Sequence, residues 1–260
     1  MSFVELQAGR VHYRLDGSAG APVIVLSNSL GATLSMWDPQ VAALSRRFRV
    51  LRYDTRGHGL SAAPEGPYTI DALGGDVLEL LDALRIDRPN FCGLSMGGLI
   101  GLWLGIHAAG RLDRLVVCNT AARVGTADAW NNRMATVRSG GMKAVAPALM
   151  ERWFTAAFRT SAPAVVESTQ KMVLQAPVDG YVACCEAIRD ADLRERVAEV
   201  KARTLVISGA SDPVTPPADG QFLAAQIPGA RYVELEAAHL SNIEAAAQFS
   251  GALLQFLSHS

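Results

Sequence analysis

Apolar residues follow two alternating rhythms along this chain. Short runs at Val23–Ser27, 48–53, 90–93, 115–118, 204–208 and 230–235 have the length and branching of strands, several of them apolar enough to be buried on both faces. Residues 11–15 instead alternate polar and apolar and read as an edge strand. Between the runs lie longer segments with helical spacing. Residues 70–84 put Leu73, Val77, Leu80, Leu81 and Leu84 on one face, and 245–257 do the same with Phe249, Leu253, Phe256 and Leu257. Residues 96–109 are apolar nearly all round, as a central buried helix is. This alternation predicts an α/β fold, a mostly parallel sheet with helices on both faces.

One region breaks the rhythm. Residues 123–203 offer no convincing strand but carry Trp130, Met134, Met142, Met150, Trp153, Phe154 and Tyr181 in helix-like contexts. An insertion of roughly 75 residues is too long for a loop and predicts a helical layer of its own. The expected organisation is a core in two parts, 1–122 and 204–260, with 123–203 inserted between them.

The chain has 260 residues and a formal net charge of −1, with no long charged block, so nothing points to electrostatic binding of nucleic acid. No apolar run approaches the ~20 residues of a membrane helix. The first residues lack the basic-then-apolar order of a secretion signal, and a cytoplasmic location is expected. Cys92 and Cys118 sit in apolar runs, Cys184 and Cys185 are adjacent, and no spacing suggests a zinc site. No metal and no cofactor is expected.

The sharpest local signal is Gly93-Leu94-Ser95-Met96-Gly97, which is G-x-S-x-G between an expected strand and an expected helix. A strand-to-helix turn this tight strains the serine backbone and leaves no room for side chains two residues away, hence the flanking glycines. It lifts the hydroxyl of Ser95 clear of the sheet and puts the N–H of Met96 at a helix N-terminus, where it can donate to an oxyanion. A serine needs a base. His12, His107 and His259 read as structural or solvated. His58 and His239 both follow expected strands, and His239 has the better position, in a loop after the last strand. An orienting acid is expected after another strand, and Asp212, in Gly209-Ala210-Ser211-Asp212-Pro213, fits. Asp54, Asp190 and Asp192 are its rivals. Asn28-Ser29-Leu30-Gly31 follows Val23–Ser27 and offers the N–H of Leu30 as a second oxyanion donor.

Asn28-Ser29-Leu30-Gly31, Asp54-Thr55-Arg56-Gly57-His58-Gly59-Leu60-Ser61, Gly93-Leu94-Ser95-Met96-Gly97-Gly98, Gly209-Ala210-Ser211-Asp212 and Ala238-His239 together resemble the α/β-hydrolase superfamily, in its order and over nearly the whole chain. The resemblance implies that 123–203 is a cap, that Ser95, Asp212 and His239 are the triad, and that the loop holding Asp54 and His58 is structural. A narrower similarity, to 3-oxoadipate enol-lactonases of protocatechuate and catechol breakdown, rests on Asn28-Ser29-Leu30-Gly31, Asn119-Thr120-Ala121-Ala122-Arg123-Val124-Gly125-Thr126 and Trp130-Asn131-x-Arg133. It implies a small anionic lactone as substrate. Ser29, Trp130 and Trp153 are then expected to line its pocket, with Arg133 first and Arg138 second to hold its carboxylate. The alternatives are a general carboxylesterase, a cofactor-free haloperoxidase-like hydrolase, a ligand-binding receptor on the same fold, and a plain scaffold protein.

Overall fold

A computed structural model describes residues 1–258. The strands are β1 (Ser2–Leu6), β2 (Gly9–Asp16), β3 (Val23–Ser27), β4 (Arg49–Tyr53), β5 (Asn90–Leu94), β6 (Arg114–Cys118), β7 (Arg203–Gly209) and β8 (Arg231–Leu235). They form one sheet in the order β1-β2-β4-β3-β5-β6-β7-β8. β1 and β2 run antiparallel and β2 pairs antiparallel with β4; every other pairing is parallel. Residues 11–15, expected at the edge, therefore lie one strand in. The hairpin partner β1 takes the edge, and its Phe3 ring covers the His12 ring at 5.2 Å.

The core helices are α1 (Asp38–Leu44), α2 (Ile70–Ala83), α3 (Met96–His107), α9 (Pro217–Gln226), α10 (Ser241–Glu244) and α11 (Ala246–Ser258). From β3 the chain crosses through α1 to β4 on one side, then through α2 back to β5 on the other. Right-handed crossovers in opposite directions put α1 and α2 on opposite faces. α3 packs against α2, and α11 against α1, so helices cover both faces. The reversal at β3 also creates a crevice at the carboxyl ends of β3 and β5, the usual place for a site in such a sheet.

Between β6 and β7 the chain has no strand. It runs through α4 (Ala127–Gly140), α5 (Ala146–Trp153), α6 (Ala156–Ser161), α7 (Pro163–Leu174) and α8 (Val178–Asp190). This layer rests on the sheet's carboxyl end through particular contacts. The N–H of Leu240 donates to the carbonyl of Trp153 at 3.1 Å. The carboxylate of Glu244 accepts from the N–H and hydroxyl of Thr155 in the layer and from the N–H of Ala238 in the core. Gly180 in α8 lies so close to Gly57, which has φ +78°, that a β-carbon on either would meet the other's backbone. No helix among the described residues is long and apolar enough to cross a membrane.

Gly180→Ala forces backbone against backbone, a misfit that neither partner relieves by rotating a side chain. It is expected to cost about 1–3 kcal/mol, read as a lower urea midpoint with an unchanged m-value. An unchanged midpoint shows that the layer does not rest on this contact.

Candidate active site

Ser95 sits in the turn between β5 and α3 with φ 58° and ψ −114°, a conformation that residues with side chains rarely adopt. Both flanks need glycine. A β-carbon at Gly93 would strike the Gly97 carbonyl, one at Gly97 the Ser27 carbonyl, and one at Gly98 the side chain of Thr120. The turn is tied to the neighbouring strand: the N–H of Ser95 donates to the carbonyl of Cys118 at 2.9 Å, and the hydroxyl of Thr120 donates to the carbonyl of Ser95 at 2.8 Å.

His239 and Asp212 come from loops after β8 and β7. Nδ1 of His239 lies 2.8 Å from Oδ2 of Asp212, which sets Nδ1 as the proton-bearing nitrogen and leaves Nε2 with a free lone pair able to accept a proton. Asp212 is buried and surrounded by donors. Oδ1 accepts from the N–H groups of Val214 (2.8 Å) and Thr215 (3.1 Å), and Oδ2 from the Thr215 hydroxyl (2.8 Å) and the Asn119 amide (3.0 Å). Burial raises the carboxyl's pKa. The charge of His239 and hydrogen bonds from His239, Asn119 and Val214 outweigh it and hold the group below its ordinary value. Asp212 thus stays ionised opposite the imidazole. The rivals have other duties: Asp190 and Asp192 are exposed and paired with Arg189 and Arg194. His107 stacks on Trp103, and His259 lies outside the described residues.

Asn119, which directly follows β6 and opens one of the segments that carry the narrower similarity, has a role the sequence alone does not reveal. Its φ is +44°, its amide donates to Asp212 and to the carbonyl of Ala238, and its Oδ1 accepts from the hydroxyl of Ser241. It links Asp212 to the loop that carries His239.

Asp54 and His58 serve the segment after β3 instead. Asp54 accepts from the N–H of Leu34 (2.8 Å) and of Leu60 (3.0 Å) and meets Nδ1 of His12 at 2.8 Å. Nε2 of His58 accepts the N–H of Gly31 at 2.8 Å, and Nδ1 faces the carbonyl of Arg56 at 3.3 Å. The ring must therefore be neutral with its proton on Nδ1, and burial lowers its pKa to match. Asn28 is held from both ends, donating to the carbonyl of Tyr53 and accepting from the indole of Trp37. Among the described residues no protein group accepts the N–H of Leu30, and Met96, first in α3, has no carbonyl one turn back to bond.

A narrow cavity of about 20 Å³ joins these parts. It is lined by Ser29, Leu30, Ser95, Met96, Trp130, Arg133, Trp153 and His239 among others. Arg133 lies over the Trp130 ring, 4.8 Å from its centroid, and beside the buried phenol of Tyr181, whose pKa burial pushes well above its usual value. Arg138 is elsewhere, exposed and paired with Glu186 at 3.2 Å. The arrangement suits attack by a serine on a carbonyl carbon, with two N–H groups ready for the oxyanion and a cation facing the same space.

Residues 22–246 match a family model described as the alpha/beta hydrolase fold. The chain is similar to 3-oxoadipate enol-lactonase 2 of Acinetobacter baylyi, with 45% identity over 94% of this chain and 91% of that protein. It is also similar to the crystal structure of the enol-lactonase from Burkholderia xenovorans LB400, at TM-score 0.98 and 51% identity, covering 99% of this chain and 100% of that one. A thermophilic esterase from Thermogutta terrifontis matches at TM-score 0.92 and 27% identity over 99% and 98% of the two chains.

Ser95→Ala is expected to lower kcat by roughly 10⁴-fold or more while leaving the melting temperature near that of the parent; activity within tenfold of the parent removes Ser95 from the mechanism. His58→Ala should lower kcat by losing the acceptor for Gly31, whereas His58→Gln, which can place a carbonyl oxygen there, should recover much of it. Equal losses in both variants contradict that role. Because the unfolded chain protonates His58 near 6.5 and the folded chain only at lower pH, folding stability present above that pH is lost as acid is added. His58→Gln should flatten part of this slope in urea titrations across the acid range.

Proposed function

The chain belongs to the alpha/beta hydrolase family, and from that premise we propose that it opens a small anionic lactone, 3-oxoadipate enol-lactone, to 3-oxoadipate. One observation carries the substrate class: Arg133 lines the same cavity as Ser95 and His239 and has no carboxylate partner among the described residues. A cation left without a counter-ion beside apolar walls favours an anionic ligand. The similarity to enol-lactonases in sequence and in structure supports the same reading.

The chemistry follows from the groups in place. Oγ of Ser95 attacks the lactone carbonyl carbon and its proton passes to Nε2 of His239. The resulting oxyanion is held by the N–H groups of Met96 and Leu30. Collapse breaks the ring's acyl–oxygen bond and leaves an acyl-serine whose other arm is an enolate. That arm takes the proton held on Nε2 of His239 and becomes a ketone, so it is a better leaving group than a simple alkoxide and leaves His239 neutral. Water then attacks the acyl carbon, gives a proton to His239, and the second collapse returns that proton to Ser95 and frees the acid. Asp212 keeps the imidazole in the right tautomer and offsets its charge in both halves. Trp130 and Trp153 form the apolar walls, and Ser29 borders the oxyanion side.

Turnover should be fastest on the enol-lactone in a panel that includes p-nitrophenyl esters and simple γ-lactones; a neutral ester preferred over it overturns the assignment. Arg133→Ala should cost on the order of 2–5 kcal/mol in kcat/KM toward the anionic lactone, and much less toward a neutral ester. Arg133→Lys, which keeps the charge but not the two-pronged geometry, should fall between. Equal losses on both substrates separate Arg133 from the carboxylate.

A further inference from the structure

A second, larger cavity of about 570 Å³ lies outside the first, between two helices of the inserted layer. One face of α4 contributes Ala129, Arg133 and Thr136, and α5 with the residue that caps it contributes Val145, Leu149 and Arg152, each set at helical spacing. The two cavities share Trp130, Arg133 and Leu149, so these residues form a neck between the open side and the reacting groups. No acidic side chain lines the outer cavity. The other arginines of residues 123–196 are engaged. Arg123, Arg138, Arg189, Arg194 and Arg196 each meet a carboxylate, and Arg159 donates to backbone carbonyls. Arg133 and Arg152 alone among them have neither kind of partner within the described residues, and both face this one space.

We propose that the outer cavity is the entrance vestibule of the active site and that Arg152 is its anion guide, passing carboxylates to and from Arg133 at the neck. The proposal rests on the anionic-lactone reading and deepens it. Two unneutralised cations in a concave, partly apolar space raise the local concentration of anions, even in a chain whose formal net charge is −1. Hydrolysis strengthens the argument. Water adds across the acyl–oxygen bond, the new carboxylic acid ionises, and the product leaves with one more negative charge than the substrate brought. A second cation along the path out matches a dicarboxylate, and Arg152 stands where the neck opens.

The test uses the full chain, with Arg152→Ala and Arg152→Glu read against Lys143→Glu, an exposed cation of the same layer that does not line the cavity. The ratio of kcat/KM for the enol-lactone to that for p-nitrophenyl acetate should fall about three- to tenfold in Arg152→Ala. It should fall further in Arg152→Glu and stay at the parent value in Lys143→Glu. The loss should shrink at high salt, where screening shortens to ~3 Å. An unchanged ratio in both Arg152 variants, or the same fall in Lys143→Glu, overturns the proposal. Adipate, as a stable dicarboxylate probe, separates this result from the substrate assignment. It should inhibit p-nitrophenyl acetate hydrolysis competitively, and several-fold more weakly in Arg152→Glu. If the parent does not turn over the enol-lactone, the assignment fails and adipate alone decides: inhibition insensitive to Arg152 overturns the vestibule.

Discussion

The rest of the site depends on one steric constraint, the turn that carries Ser95. A backbone held at φ 58° and ψ −114° costs about 1–3 kcal/mol, and it persists because everything around it leaves no alternative. β5 is locked between β3 and β6, α3 begins at once, and Gly93 and Gly97 let the Gly97 and Ser27 carbonyls pass where a β-carbon would block them. Two hydrogen bonds from the end of β6 fasten the turn to the sheet. The same geometry leaves the first N–H of α3, that of Met96 beside the cavity, without a protein acceptor among the described residues.

Two buried carboxylates organise the surroundings of that turn. Asp212 collects donors from Val214, Thr215, Asn119 and His239, and this fixes the imidazole beside the cavity. Asp54, on the other flank of β3, collects Leu34, Leu60 and His12, and with His58 holds the segment that bears the N–H of Leu30. Burying a carboxylate is costly unless its lone pairs are satisfied. Each aspartate meets that cost with bonds to the loops that need positioning, so the desolvation is turned into precision. Glu244 does a related task at the surface of the core, bonding the inserted layer and the His239 loop at once.

What was legible from the chain alone depended on whether the cause was local. The flanking glycines of Ser95 answer to sterics within five residues, so the motif announces itself. The inserted helices are visible because a strand pattern is missing over a long stretch. β1 is different: five residues acquire strand character only by pairing with β2, and residues 11–15 looked like an edge for that reason. Asn119 and the Gly31 contact of His58 join residues 93 and 27 positions apart in sequence, and no spacing reveals such bonds. Arg133 and Arg138, ranked in that order, both suit the role on sequence because both lie on one helix of the layer. Five residues along a helix, however, turn the side chain by about 140°, so one faces the cavity while the other meets Glu186 outside.

The proposed function requires that Ser95 become covalently acylated by a lactone whose two ends stay joined in the intermediate. Rapid acid quench of the His239→Ala protein with the enol-lactone, followed by mass spectrometry of the peptide containing Ser95, tests it directly. With the base removed, any acyl-serine that forms persists longer before water releases it. The account predicts a slow but detectable adduct equal in mass to the whole lactone, located on Ser95. An adduct mapped to another residue contradicts it, as does an unmodified Ser95 peptide recovered while the protein still consumes the lactone.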